Sequence, residues 1–282
     1  MDPVTDWLTD NRLPIGRTAS DAVDGFTAWL GRGLDGFTDA LEEGIEGIVW
    51  LLQAPPPAVM VVLFALVTFA LRRSIWIALF ALLGFALIVN MGLWEETTET
   101  LALVIAATAT CMLIGVPLGI AAARRGWVYT VLRPVLDLMQ TIPTFVYLIP
   151  VLVLFGIGVV PGLIATVVFV LPAPIRFTRL GIASTPKPLE EAARAFGASS
   201  WQRLLKVELP SAKPQIMAGL TQCIMLSLSM VVIAGLVGAD GLGVEIVRAL
   251  NTVNLAKGIE AGLAIVVLAI VLDRLFKSEA RA

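Results

Sequence analysis

Histidine is absent from the 282 residues, and cysteine occurs only twice. Without an imidazole there is no Ser–His–Asp set, no Cys–His pair and no histidine-built zinc site. Cys111 and Cys223 both lie in apolar runs without metal-ligand spacing, which fits small core residues better than a disulfide or a metal pair. No Gly-x-x-x-x-Gly-Lys-Ser/Thr sequence occurs, so the chain carries no Walker-type phosphate loop. Charge is scarce as well: Asp, Glu, Lys and Arg make up 15% of the residues, against about a quarter in soluble domains. A net charge of −2 argues against a nucleic-acid partner. The expectation is a chain with no catalytic site, no metal and no cofactor of its own. The start, Met1-Asp2-Pro3, also lacks the basic region and short apolar run of a cleaved signal.

Apolar residues fill the space that charge leaves. They make up 58% of the chain, and the mean hydropathy is +0.89. Too little polar surface remains to face water all round, so lipid is the expected solvent. Seven apolar spans of bilayer length are predicted: 55–71 (after Pro55-Pro56-Pro57), 74–93, 99–123, 140–159, 161–180, 213–237 and 258–276. The expected class is therefore an all-α polytopic membrane protein. With the N-terminus outside and the spans alternating, 15 of the 20 Lys and Arg fall inside, among them Arg72, Arg73, Arg124, Arg125 and Arg133. Glu95, Glu96, Glu99, Asp240 and Glu245 then fall outside. The positive-inside rule prefers this topology. It places the polar loop 181–212 and the C-terminal tail 277–282 in the cytoplasm.

The N-terminal 1–54 differ. Residues 1–50 hold ten acids and three bases. Val23, Phe26, Leu30, Leu34, Phe37, Leu41, Ile45 and Ile48 recur at steps of three and four, with Asp21, Asp24, Asp35, Asp39, Glu42, Glu43 and Glu46 on the other face. Such an acidic amphipathic helix suits the outer membrane surface or a partner, and equally the chain's own spans. Residues 55–93 form two peripheral spans, and 94–276 the core. Prolines and glycines interrupt the core spans at Gly115, Pro117, Gly119, Pro143, Pro150, Gly156, Pro172 and Pro174. Broken helices persist in a membrane only where neighbours or a wet cavity satisfy the freed backbone. They mark transport pathways and ordinary kinks alike.

The loop 181–212 is the most informative stretch. Pro188, Glu190 and Glu191 suit the first turn of a helix. Gly197 ends it, and Ser199 or Ser200 caps a second helix with Trp201, Leu204 and Leu205 on its apolar face. Pro210 is expected to stop that second helix. The product is a two-helix cytoplasmic knob. Small Ala192 and Ala193 allow close approach, and Phe196, Trp201 and Leu204 offer anchors for a soluble partner.

Glu191-Ala192-Ala193, Gly197, Val207 and Leu209-Pro210 reproduce a spaced signature: E-A-A, three residues, G, nine residues, I, one residue, L-P, with Val in place of Ile. In this respect the chain resembles the permeases of ABC importers. Over 95–275 the resemblance extends to the glycine betaine/proline betaine group and to related choline and quaternary-amine uptake systems. It rests on Met139-Gln140-Thr141-Ile142-Pro143-Thr144-Phe145-Val146-Tyr147, Phe155-Gly156-Ile157-Gly158, Leu228–Ile233 and Gly238–Gly243. Residues 1–50 fall outside it. The resemblance implies a bacterial inner-membrane permease that works as a homodimer. Two ATPase subunits, which hold ATP and Mg, would dock on the loop through Glu190, Glu191, Ala192, Ala193, Phe196, Gly197, Trp201, Leu209 and Pro210. A separate extracytoplasmic binding protein would deliver the solute.

A quaternary ammonium is held best by aromatic faces. Phe145 and Tyr147 offer such faces, and Gln140, Thr141, Pro143, Thr144 and Met230 complete a candidate path; the same residues also suit plain helix packing. Arg176 and Arg179, near the inner end of a span, are expected to snorkel to the cytoplasmic surface. An ion-coupled secondary transporter would need mid-membrane carboxylates, which most spans lack. Within the importers, the alternative cargo is methionine or another amino acid.

Overall fold

The computed structural model describes residues 14, 16–18, 20, 21, 25 and 32–276. All regular structure among these residues is helical. Helix α1 (Arg32–Gln53) turns by 96° into α2 (Pro57–Arg72) across the proline run, where a residue preceding proline is pushed out of the helical region. Helix α3 (Ile75–Asn90) returns antiparallel to α2. The long α4 (Trp94–Arg124) follows, with 31 residues and Pro117 inside it. Next come α5 (Gly126–Thr141), α6 (Thr144–Phe155), α7 (Val159–Val170) and α8 (Pro172–Ala183). Helices α9 (Lys187–Ala195) and α10 (Ser200–Arg203) form the loop, and α11 (Leu209–Leu236), α12 (Leu242–Asn251) and α13 (Leu255–Phe276) complete the chain.

Among the described residues, four helical stretches are long and apolar enough to cross a membrane: Trp94–Arg124, Val159–Ala183 (α7 and α8 end to end), Ser200–Leu236 and Leu255–Phe276. They coincide with four of the seven expected spans. The expected spans 55–71 and 74–93 correspond to α2 and α3, each of 16 residues. The expected span 140–159 is not one straight helix. Its first residues end α5, and the chain bends by 98° at Ile142-Pro143 into the 12-residue α6. Proline explains the break, since it removes a donor and its ring collides with the preceding turn. Helices α5 and α12 were not anticipated. Both are short and amphipathic, so a bilayer-length apolar window passes over them.

Pro172 and Pro174 do not break their span, because they fall in the first turn of α8, where the missing N–H has no intrahelical partner. Helix α8 sits between α4 and α11. Close approach there depends on small residues. A Cβ on Gly115 would meet the Pro174 ring at 2.5 Å, and one on Gly119 would meet Thr178 at 2.6 Å. The main core joins α1, α2, α3, α4, α7, α11, α12 and α13. At its edge Phe64 stacks on Phe85 with centroids 4.8 Å apart, and Trp94 meets Phe85 edge-on. Buried threonines tie the elements together by polar contacts. The Leu242 N–H donates to Thr100 Oγ1 at 2.9 Å, and Gln53 Nε2 donates to Thr98 Oγ1 at 2.8 Å.

The described half of the acidic N-terminal helix is covered by the chain's own spans. Leu41, Ile45, Ile48 and Leu52 pack into the main core, and Phe37 lies beside Phe155, while Asp35, Asp39, Glu42, Glu43 and Glu46 are exposed. Of the other residues assigned to that helix, Val23, Asp24, Phe26 and Leu30 lie outside the described residues, as does the side chain of Leu34.

Candidate functional site: the loop between α8 and α11

The loop assembles from local signals. Helix α9 starts at Lys187-Pro188 with Glu190 in its first turn, and Arg194 lies 3.7 Å from Glu190 one turn on. Gly197 ends the helix with φ of +72°, a left-handed conformation that costs a non-glycine residue about 1 kcal/mol or more. The Ala198 N–H returns to the Ala193 carbonyl at 2.9 Å and the Gly197 N–H to Arg194, closing the last turn. Of the two candidate caps, Ser199 is the one used. It forms a reciprocal box with Gln202: Ser199 N–H donates to Gln202 Oε1 at 2.8 Å, and Gln202 N–H donates to Ser199 Oγ.

Pro210 does not stop the second helix. Residues Leu204–Glu208 form a π-helical turn that runs directly into α11, so Ser200–Leu236 is continuous. The wider turn reaches back five residues, with the Leu209 N–H bonded to the Leu204 carbonyl. Pro210 then enters as the second residue of α11, where its missing donor costs little. The second helix of the knob is therefore the head of a long membrane-spanning helix and continues into it through the π turn.

The side chains of the knob differ in exposure. Leu204 is 2% exposed and packs with Ile182, Ala212, Ile120 and Leu209. Other large apolar side chains of the head have no cover: Phe196 is 91% exposed and Trp201 68%, and Leu189 and Leu205 are exposed as well. Glu191 and Ala192 are exposed, and Glu190 and Ala193 partly so. A cavity of about 780 Å³ opens beneath, lined by Arg124, Glu190, Trp201, Arg203 and Glu208 among others. Glu208, only 5% exposed, accepts from Arg203 Nε at 2.9 Å, and its other oxygen lies 3.5 Å from Arg124 Nε. The sequence reading missed Glu208 and Arg203, and it took Arg124 only as a topology signal. The available hint was an acid placed between Val207 and Leu209-Pro210 in an otherwise apolar turn.

The candidate path residues fall at the α5–α6 bend. Gln140, Thr141, Pro143 and Phe145 are exposed, Thr144 and Tyr147 are partly buried, and Met230 lies inside the chain at 2% exposure. Tyr147 packs on the cluster of Leu148, Ala165 and Val237, together with Ile233. Arg176 does not stand free at the surface. Its guanidinium donates to Asp137 at 2.6 Å and to the Gln140 side-chain oxygen at 2.9 Å. Arg179 lies over the Tyr129 ring at 3.5 Å. Both arginines thus fasten α8 to α5, because a short path to a carboxylate and a ring satisfies them before the solvent does.

Residues 115–278 match the family model described as a binding-protein-dependent transport system inner membrane component. The chain is 44% identical over 264 residues to a glycine betaine transport system permease protein of Bacillus subtilis, covering 94% of this chain and 93% of that protein. It is 46% identical over 229 residues to a glycine betaine/carnitine transport permease protein of Listeria monocytogenes, covering 80% and 81%. A glycine betaine/proline betaine transport system permease protein of Escherichia coli is 45% identical over 231 residues, which span 82% of this chain and 65% of the relative. Among solved structures, an inward-facing MetNI methionine ABC transporter superposes with a TM-score of 0.58 at 23% identity, over 66% of this chain and 91% of that one. That last likeness concerns the fold alone.

Proposed function

Because the chain belongs to the family of binding-protein-dependent transport system inner membrane components, we propose that it is the multi-pass permease of an ATP-driven importer for glycine betaine or a related quaternary ammonium solute. The single observation that carries the substrate class is identity of 44–46% to three permeases named for glycine betaine, in one case along nearly the whole of both chains. The observation that carries the mechanism is the exposure of Phe196 and Trp201 on a helical head that continues into the long helix Ser200–Leu236.

In this reading the N-terminus lies outside and the loop lies in the cytoplasm. A separate ATPase, holding ATP and Mg, covers Phe196, Trp201 and the small surface at Ala192 and Ala193. An extracytoplasmic binding protein delivers the solute to the opposite side, and two copies of the chain enclose the path. Closure of the ATPase pair pulls the two loops together. The continuous helix Ser200–Leu236 carries that movement into the membrane, because no flexible joint separates head from span. Gln140, Thr144, Phe145 and Tyr147, at the α5–α6 bend that Arg176 holds to α8, are read as the solute-facing group, their rings offering a cation–π surface.

The test is uptake of radiolabelled glycine betaine by cells that lack other betaine carriers, given this chain together with the ATPase and binding protein encoded beside it. Excess unlabelled glycine betaine should suppress uptake, and excess methionine should leave it intact. Suppression by methionine and not by betaine would reassign the cargo.

A further inference from the structure

We infer that Glu208 is a positioning residue for coupling, the pin through which movement of the loop is passed sideways to α4. The inference rests on the docking role proposed for the loop and goes beyond it, since Glu208 is buried where Phe196 and Trp201 are exposed, and it faces Arg124 of α4 across the cavity that Trp201 also lines.

The geometry is that of a buried charged joint between two spans. The Glu208 carboxylate sits in the π turn that begins the long helix, and its side chain is almost wholly covered. One oxygen accepts from Arg203, on the same head. The other faces Arg124, the last residue of α4. Arg124 also donates through Nη2 to the Ser200 carbonyl at 2.6 Å, so one guanidinium is hydrogen-bonded to the start of α10 and within ion-pair distance of Glu208, whose facing oxygen has no hydrogen-bond partner of its own. Leu204, Ile182 and Ala212 close the apolar floor below. A carboxylate this covered persists only with its partners in place, because the unpaired charge is strongly disfavoured. The head therefore cannot move without either carrying the inner end of α4 with it or opening the pair. A π turn is a suitable place for such a joint: it turns the Glu208 side chain about the helix axis relative to regular α geometry, and such turns concentrate at functional positions.

The same arrangement gives a testable separation. The Phe196–Trp201 face sets whether the ATPase binds, and the Glu208–Arg124 joint sets whether its work reaches the spans. The full chain would be reconstituted in proteoliposomes with its ATPase and binding protein. ATPase association, glycine betaine uptake and solute carried per ATP hydrolysed would be measured for Arg124→Gln, Glu208→Gln and Glu208→Asp. Arg124→Gln leaves Glu208 paired with Arg203, so it spares folding and decides the matter if Glu208→Gln does not assemble. The expected result is association within about twofold of wild type and a loss of about tenfold in solute per ATP for the two Gln variants, the scale of one covered charge-assisted contact. Glu208→Asp should recover much of the ratio. An unchanged ratio in Arg124→Gln would overturn the inference. So would a loss of ATPase association in step with uptake, which would make the cluster part of the docking face. Failure of the underlying reading shows separately, as no ATP-dependent uptake by the wild-type complex or as ATPase association that survives loss of both Phe196 and Trp201.

Discussion

Replacing Trp201 with Ala should weaken the ATPase's grip without disturbing the permease itself. The indole is 68% exposed on the isolated chain. A tryptophan buries up to about 250 Å² on full coverage, so docking can remove about 170 Å² more from water. At about 25 cal/mol per Å² the upper bound is about 4 kcal/mol. Alanine keeps some contact and burial is seldom complete, so about half, near 2 kcal/mol, is the expected loss, the size of an interface hot spot. That corresponds to a Kd about 30-fold weaker. Titration of purified ATPase against the permease in nanodiscs would measure it. Thermal unfolding of the permease alone should be unchanged by this substitution. Leu204→Ala is the contrasting control. Leu204 is buried among Ile182, Ala212 and Leu209, and its truncation should cost about 2–5 kcal/mol of stability. Wild-type ATPase affinity in Trp201→Ala, with uptake intact, would refute the assignment of this face.

Gly197→Ala must hold φ at +72° with a side chain; it should reduce uptake at unchanged expression, and Gly197→Asn should be milder, because Asn tolerates the left-handed region. Gly119→Val should lower the yield of folded protein in detergent, since its Cβ would meet Thr178 at 2.6 Å and the Ile175 carbonyl at 2.8 Å, an overpacking cost of about 1–3 kcal/mol or more. Thr100→Val removes the acceptor for the buried Leu242 N–H. It should destabilise by about 1–3 kcal/mol in a thermal-shift assay, the cost of one orphaned buried donor. Deleting residues 1–50 uncovers the core around Ile45 and should lower the melting temperature, while ATPase association persists because the loop is untouched.

The sequence disclosed most where one signal acts locally. Gly197 and Glu190 each mark a helix end within four residues as expected, and Ser199 is the one used of the two serines expected as caps, while Glu191 falls just beyond the first turn of α9. The four long apolar stretches follow from composition alone. Less was legible where partners come from afar. Pro210 looked like a stop, and only the preceding π turn makes it a helix start. Arg176 and Arg179 were expected at the inner surface by snorkelling, and the partners they meet there, Asp137, Gln140 and Tyr129, lie over 30 residues earlier and could not be read from the local sequence. Glu208 could not be told from a solvated acid until α4 brought Arg124 beside it. Helices α5 and α12 escaped because their apolar faces are too short and one-sided for a bilayer window.

The most direct test of the account is where the loop touches its partner. Cys111 and Cys223 are fully buried, so a cysteine introduced at an exposed position is readily distinguished by thiol-specific reagents. Phe196→Cys, in the assembled complex, should cross-link to the ATPase subunit, and ATP should alter the yield. Val253→Cys, at the exposed turn between α12 and α13, should not. Cross-linking of the ATPase to position 253 and not to 196 would contradict both the topology and the coupling role of the loop.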